Sequence, residues 1–147
     1  QAEGAQVMRA GLAAFAVILA ATTAQAGELR GRVVAVADGD TLTILDAGRQ
    51  QHRIRLAEID APEKRQPFGQ RSKQSLSDLC YGRDAAIEDS GRDRYGRTIG
   101  RVSCAGIDAN AEQVRRGMAW VFDRYATDRR LYAIQDEARA ARRGLWS

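Results

Sequence analysis

The chain has 147 residues, which is the length of one ordinary domain and excludes an array of domains. Charged residues make up 29% and hydrophobic residues 44%, and these average values exclude a disordered, collagen-like or multi-span membrane protein. Two of the 23 basic residues are lysines, and the net charge is +4. The many arginines favour a polyanionic partner because the guanidinium fork matches phosphate, although surface solvation alone also accounts for so modest a charge.

Residues 1–26 are predicted to form an N-terminal extension and a secretory signal peptide. Arg9 precedes an apolar run over residues 11–21 that is short for a bilayer, and residues 24–26 are Ala-Gln-Ala, as at a signal-peptide cleavage site. A buried N-terminal helix is the alternative. We therefore expect an exported protein, periplasmic or secreted, whose domain spans residues 27–147 and has no stable membrane association after cleavage.

The first half of this domain is predicted to begin with three β-strands between residues 30 and 56. Turns at 38–40 and 46–48 separate the strands. Pro62 and Pro67 then end the strand pairing, because proline lacks the N–H group that such pairing needs. Apolar residues at helical spacing predict a helix over 70–80.

The second half continues with two strands, at 85–88 and 98–103, joined by a polar turn over 90–97. Two helices follow, at 109–116 and 129–143, ended by Gly117 and Gly144. Five short antiparallel strands and three helices predict an α+β fold built on a five-stranded OB-type Greek-key barrel, an architecture that commonly binds oligonucleotides.

Three short stretches carry groups suited to chemistry: residues 38–41 (Asp-Gly-Asp-Thr), Arg55 with residues 60–63 (Asp-Ala-Pro-Glu), and residues 93–97 (Asp-Arg-Tyr-Gly-Arg). Each alone is typical of an ordinary turn. Together they supply what phosphodiester hydrolysis requires: carboxylates for a hard cation, a carboxylate for the attacking water and fixed cations for phosphate. One histidine and two distant cysteines offer no zinc ligand set.

The spacing of Arg55 and Asp60 presents a geometric difficulty. The two residues are five apart, so a regular strand would point them to opposite faces. A bulge or the end of the strand must therefore intervene, and Pro62 favours an end near Asp60.

The motifs Asp-Gly-Asp-Thr, Arg-x4-Asp-x-Pro-Glu, Asp-x-Tyr-Gly-Arg and a closing Gly-Leu-Trp resemble those of the staphylococcal nuclease family over nearly all of residues 27–147. The resemblance implies a calcium-dependent OB-fold nuclease that cuts DNA and RNA with little sequence preference and leaves 3′-phosphate ends. It also implies a role for each matching residue. The implied metal ligands are Asp40, Asp60 and the main-chain carbonyl of Ala61, with Asp38 in the outer shell. The implied catalytic residues are Glu63, which acts on water, and Arg55 and Arg97, which hold the phosphate.

The same resemblance indicates where nucleic acid binds. Tyr95 matches a tyrosine that lines the nucleotide pocket, and the loop after Glu63 is shorter than usual, which leaves Lys64 near the phosphates. Of a late pair of tyrosines in the family, Tyr125 is kept and Asp123 replaces the other. The residues predicted to bind nucleic acid are Lys64, Arg94, Tyr95 and Tyr125.

Cys80 and Cys104 are predicted to form a disulfide, because a cysteine pair in an exported protein is usually oxidised. Cys80 ends the first predicted helix and Cys104 follows the last predicted strand, so an antiparallel hairpin would bring the two thiols together. Two buried, unbonded cysteines are the alternative.

Two other functions fit part of the pattern. A non-catalytic OB module that only binds nucleic acid would not need the matched catalytic positions. An exported protein that binds Ca²⁺ only for its structure would not need the arginines Arg55 and Arg97, which suit a phosphate. We therefore expect a monomeric Ca²⁺-dependent endonuclease with DNA and RNA as substrates.

Overall fold

A computed structural model describes Gly4 and residues 28–147 of the chain. Apart from Gly4, the predicted signal peptide at 1–26 lies outside the described residues. Within residues 28–147 the elements, in chain order, are β1 (Glu28–Asp38), β2 (Thr41–Leu45), β3 (Gln51–Leu56), β4 (Ile59–Asp60), α1 (Gly69–Cys80), β5 (Asp84–Arg92), β6 (Thr98–Cys104), β7 (Ile107–Asp108), α2 (Ala109–Arg115), β8 (Trp120–Val121), α3 (Arg129–Ala140) and a closing 3₁₀ turn (Gly144–Trp146).

The five longer strands form a closed barrel. Antiparallel pairing gives the order β3-β2-β1-β5-β6, and β3 then pairs parallel with β6, from Ile54 opposite Thr98 to Leu56 opposite Gly100. Closure removes the free strand edges. The predicted α+β fold, an OB-type barrel of five strands with three helices, is confirmed for residues 28–147.

Alternation of side chains along the strands fills the barrel. Residues at every second position point inward and are apolar, which is the period-two pattern of a half-buried strand. The fully or almost fully buried side chains of the barrel are Val33, Leu42, Ile44, Ile54, Leu56, Ile87 and Val102. Each such side chain contributes roughly 1.5–3 kcal/mol by leaving water. Leu76 and Leu79 of α1 and Val114 of α2 join this core, so the helices pack on the barrel through apolar faces.

Some predicted bounds differ from the structure. β5 continues to Arg92 through the predicted turn, with a register shift at Gly91, whose φ of 133° suits glycine. α2 ends before Gly117 (φ 69°), as predicted. α3 ends at Ala140, three residues before the predicted end at residue 143. There Arg142 takes up a left-handed conformation at φ 52°, which stops the helix. The two-residue strands β4, β7 and β8 were not predicted from the sequence, because two residues are too few to show an alternating pattern.

No helix in the described part of the chain has the length and apolar character needed to cross a membrane.

The disulfide prediction is confirmed, because Cys80 and Cys104 are bonded with a Cα–Cα distance of 5.2 Å. Both cysteines are fully buried. Ala85, near the start of β5, lies opposite Cys104 at the end of β6. The bond thus joins the end of α1 to the open end of the β5–β6 hairpin.

Replacing both cysteines by alanine (Cys80→Ala with Cys104→Ala) should lower the free energy of unfolding by about 3 kcal/mol. The crosslink closes a loop with a sequence separation of 24, and chain entropy lost by the unfolded state scales with that length. Urea unfolding measures the change. A reductant should shift the wild-type transition and leave that of the double variant in place. Two free thiols in the mass spectrum of the purified protein would contradict the bond.

Candidate active site

The tight turn between β1 and β2 carries the first two acidic residues. The backbone N–H of Asp40 donates to Asp38 Oδ1 at 3.1 Å, an arrangement that aspartate commonly makes in turns. Gly39 is buried between them, and a Cβ at this position would overlap Ser72 Oγ of α1. Only glycine therefore lets the turn approach the helix this closely.

The Asp40 carboxyl group lies inside the protein, 5% exposed as a residue. Its Oδ1 accepts from Thr41 Oγ1 at 3.1 Å and its Oδ2 accepts from the backbone N–H of Ala61 at 2.9 Å. Burial raises the pKa of Asp40 from its usual 3.8 to about 7, against the opposing charge of Arg55, and the neighbouring Asp38 raises the pKa further. The positive charge of Arg55 therefore compensates only part of the effect of burial on this carboxyl group.

Asp60 reaches the same place because β3 ends at Leu56. A turn follows, in which Glu58 has a left-handed φ of 66°, and β4 then begins at Ile59. This confirms that a strand end separates Arg55 from Asp60, as their odd spacing required. Asp60 Oδ1 accepts from the N–H of Ala61 at 3.1 Å, so one N–H group contacts both Asp40 and Asp60.

Arg55 lies between the two carboxylates. Its Nη2 is 3.3 Å from both Asp40 Oδ2 and Asp60 Oδ1. Its Nη1 donates to the carbonyls of Leu56 (2.7 Å) and Ile59 (2.9 Å). The guanidinium is thus held by the chain segment that carries Asp60, and it supplies positive charge at the acidic pair.

Arg97 reaches this site from the β5–β6 hairpin. Asp93 holds it through Oδ2, which accepts from Arg97 Nε at 2.7 Å, and through Oδ1, which accepts from the N–H groups of Tyr95 and Arg97. Arg97 Nη1 is 3.5 Å from Thr41 Oγ1, which in turn contacts Asp40. The predicted residues of the first and third motifs are therefore neighbours.

Tyr95 is an exposed aromatic ring framed by two arginines. Its ring lies 5.0 Å from the Cζ of Arg94 and 5.5 Å from the Cζ of Arg97, distances suited to cation–π contact. Arg94 Nη2 also donates to the Tyr95 hydroxyl at 2.8 Å. The hairpin thus presents a flat ring and two cations together.

Other predicted residues are not joined to the carboxylates. Among the described residues, the side chains of Glu63, Lys64 and Tyr125 make no hydrogen bond or ion pair with Asp40 or Asp60. Glu63 is exposed at the start of a loop in which its carbonyl accepts from the N–H of Gln66. Tyr125 packs edge-on against Phe122, with ring centroids 5.0 Å apart.

The sequence reasoning did not identify the polar groups that support the site from α1 and α2. Gln113 is fully buried, and its Nε2 donates to the carbonyls of Gly39 (2.8 Å) and Ser72 (3.0 Å). Asn110 Nδ2 donates to the carbonyl of Ala57, between Arg55 and Asp60. The available signal was the pair Asn110 and Gln113, two amide side chains three residues apart on one face of α2. Because buried polar groups need hydrogen-bond partners, two amides on a face that packs on the core indicate a polar contact there.

Comparisons with known proteins show which family the chain resembles. Residues 53–147 match the family described as "Staphylococcal nuclease homologue". The chain is 47% identical over 116 residues to an "Uncharacterized endonuclease" of Haemophilus influenzae, a match that covers 79% of this chain and 65% of the relative. It is 41% identical over 145 residues to a protein of Shigella flexneri named "Micrococcal nuclease", covering 91% of this chain and 83% of the relative. The chain belongs to the staphylococcal nuclease family.

In this staphylococcal nuclease homologue, the donor chemistry at the acidic pair suits a hard cation. Asp40 and Asp60 converge on one N–H group, and Ala61 adds a main-chain carbonyl at the same point of the chain. The described residues hold no cluster of three or more His, Cys, Asp or Glu side chains, so a cation here would also depend on main-chain and solvent oxygens.

In the presence of a chelator, Asp40→Asn should raise the free energy of unfolding at pH 8 and flatten its pH dependence. The folded protein holds a proton on Asp40 up to about pH 7, whereas the unfolded chain releases it near pH 4. The stabilising effect of this proton is therefore complete below pH 4 and lost as the pH rises through 7. Urea unfolding between pH 4 and 8 measures the slope.

Asp136→Asn is the control, because Asp136 is exposed on α3. A wild-type slope that Asp40→Asn leaves unchanged between pH 4 and 8 would contradict the raised pKa.

Proposed function

We propose that this domain is an exported, monomeric, Ca²⁺-dependent endonuclease. It hydrolyses phosphodiester bonds in DNA and RNA with little sequence preference and leaves 3′-phosphate ends. Membership of the nuclease family supports cleavage of nucleic acids. The observation that carries the proposal is the convergence of Asp40 and Asp60 on the N–H of Ala61, with the Arg55 guanidinium against both carboxylates.

Asp40, Asp60 and the carbonyl of Ala61 would hold Ca²⁺, with Asp38 in its outer shell. All of these donors are oxygens, the type that Ca²⁺ prefers. When bound, Ca²⁺ neutralises charge on a phosphate oxygen and makes the phosphorus more open to attack. The raised pKa of Asp40 supports this assignment, because a bound cation would compensate the buried carboxylate.

Arg55 and Arg97 bind the phosphate and stabilise the charge that develops on its oxygens in the transition state. Both guanidiniums are held in place, Arg55 by two carbonyls and Arg97 by Asp93, so little rearrangement accompanies the reaction. Glu63 orients the attacking water. Its exposed position in the loop between β4 and α1 leaves its carboxylate open to solvent and substrate.

Lys64, Arg94, Tyr95 and Tyr125 contact the nucleic acid outside the bond that is cut. Stacking of bases on exposed tyrosine rings tolerates any sequence, since every base has a π face. Tyr95 and Tyr125 are both 58% exposed, which supports such a role. Weak sequence preference follows.

Export to the periplasm or the medium is consistent with the Cys80–Cys104 bond, because disulfides persist in oxidising compartments. The signal-like pattern of residues 1–26 is the second support.

Removal of the metal tests the proposed activity. Release of acid-soluble nucleotides from denatured DNA should vanish in excess chelator and return with Ca²⁺. Mg²⁺ should support binding better than turnover, because it demands a tighter octahedron of ligands. Full activity in excess chelator would contradict the metal role, and DNA binding without cleavage under any ion would favour a non-catalytic binding module. Products that a polymerase extends only after phosphatase treatment would verify the 3′-phosphate ends.

Arg97→Lys should lower kcat by roughly 10²-fold or more. Lysine keeps the charge but loses the fork of donors, and a lost transition-state donor costs rate on this scale. Single-turnover cleavage of denatured DNA is the measurement. Arg32→Lys, an exposed position on β1, is the matched control and should behave like the wild type. Turnover of Arg97→Lys close to the wild-type value would reduce Arg97 to a structural residue of its hairpin.

A further inference from the structure

Arg53 lies on the outer face of the barrel beside the candidate active site. It is two residues before Arg55 on β3, so the two side chains share a face, while Ile54 and Leu56 point into the core. Two residues of a strand span about 6.6 Å. On the neighbouring strand, Thr43 lies opposite Arg53 and Thr41 lies opposite Arg55. Arg53 thus extends the row of polar groups that begins at the acidic pair.

Arg53 also contacts the hairpin that carries Arg97. Its Nη2 donates to the carbonyl of Tyr95 at 2.6 Å, across a sequence separation of 42 residues. This contact holds the guanidinium against the backbone of Tyr95, within the hairpin that carries Arg97. It is a bond between a cation and a neutral carbonyl, so it leaves the charge of Arg53 uncompensated.

Arg55 and Arg97, the two arginines proposed to hold the phosphate at the bond that is cut, differ in this respect. Arg55 is paired with Asp40 and Asp60, and Arg97 is paired with Asp93. Within residues 28–147, no carboxylate oxygen lies within 4.0 Å of an Arg53 nitrogen. Arginine has five N–H donors, and the Tyr95 carbonyl uses one of them. Arg53 therefore retains both its charge and donors for an exposed anion.

We infer that Arg53 is a further nucleic-acid-binding residue, which binds the phosphate of a nucleotide flanking the one held by Arg55 and Arg97. The inference rests on the proposed function for its ligand, a single-stranded nucleic acid. A bound strand then runs along the outer face of β3, with a backbone phosphate at Arg53 and a base near Tyr95. Arg53 contributes to substrate affinity, and the chemistry stays with Arg55, Arg97 and Glu63.

Salt dependence of binding tests this role. The full chain is titrated against a fluorescently labelled single-stranded oligonucleotide in excess chelator, from low to moderate salt, and binding is followed by anisotropy. Each phosphate contact adds about 0.7 to the slope of log K against log salt for a single strand. Arg53→Gln should weaken binding and lower this slope by about 0.7. Arg53→Lys should keep the wild-type slope, because lysine retains the charge.

Arg32→Gln removes the same charge from an exposed position on β1 and should match the wild type. Arg32 lies opposite Leu45, at the far end of β2 from Thr41, which follows Asp40. An Arg53→Gln slope equal to that of the wild type, or a wild-type protein that does not bind the oligonucleotide, would overturn the inference. Equal losses in Arg53→Gln and Arg53→Lys without a change of slope would also overturn it, because Arg53 would then only anchor the hairpin. A wild-type protein that binds in this way but releases no nucleotides with Ca²⁺ would contradict the proposed nuclease and not this binding role.

Discussion

Burial of the Asp40 carboxyl group is the constraint on which the rest of the site depends. A carboxylate that leaves water must find hydrogen-bond donors and positive charge, or take up a proton. In this chain the donors come from Thr41 and Ala61, and the charge comes from Arg55. The pKa of about 7 shows that these groups only partly compensate the burial. A cation held by the proposed ligands Asp40 and Asp60 would add positive charge where the burial of Asp40 is only partly compensated.

The helices hold this site through polar contacts as well as apolar ones. Gln113 binds the turn at Gly39, and Asn110 binds the carbonyl of Ala57 together with the N–H of Val102. These amides satisfy backbone groups that would otherwise be buried without partners. They also tie two chain segments, one with Asp40 and one leading to Asp60, to the same helix α2. The relative position of the two carboxylates is thereby set by a rigid element.

A second set of contacts orders the segment that carries Tyr125. Glu58, at its left-handed turn, accepts from Thr127 Oγ1 at 2.7 Å and from the N–H of Asp128 at 2.8 Å. These hydrogen bonds lower the pKa of Glu58 against the effect of its burial. Asp128 caps α3 by accepting from the N–H of Arg130. The Glu58 carboxylate therefore links the turn between Arg55 and Asp60 to the loop between β8 and α3, in which Tyr125 lies.

The sequence by itself predicted the Cys80–Cys104 disulfide but left two unbonded cysteines as the alternative, and the tertiary structure decided for the bond. The sequence by itself determined the order of the five long strands and three helices and the residue types of the site, because strand alternation, turn residues and motif spacing are local properties. It also required a strand end between Arg55 and Asp60. Only the tertiary structure decided that Arg55 contacts both carboxylates, that Gln113 supports the turn at Gly39 and that Arg53 adjoins Tyr95. These contacts depend on how far a side chain extends and on how the barrel closes. Two of them, Gln113 with Gly39 and Arg53 with Tyr95, join residues far apart in the chain, and the hydrophobic pattern along a chain carries no information about such pairs.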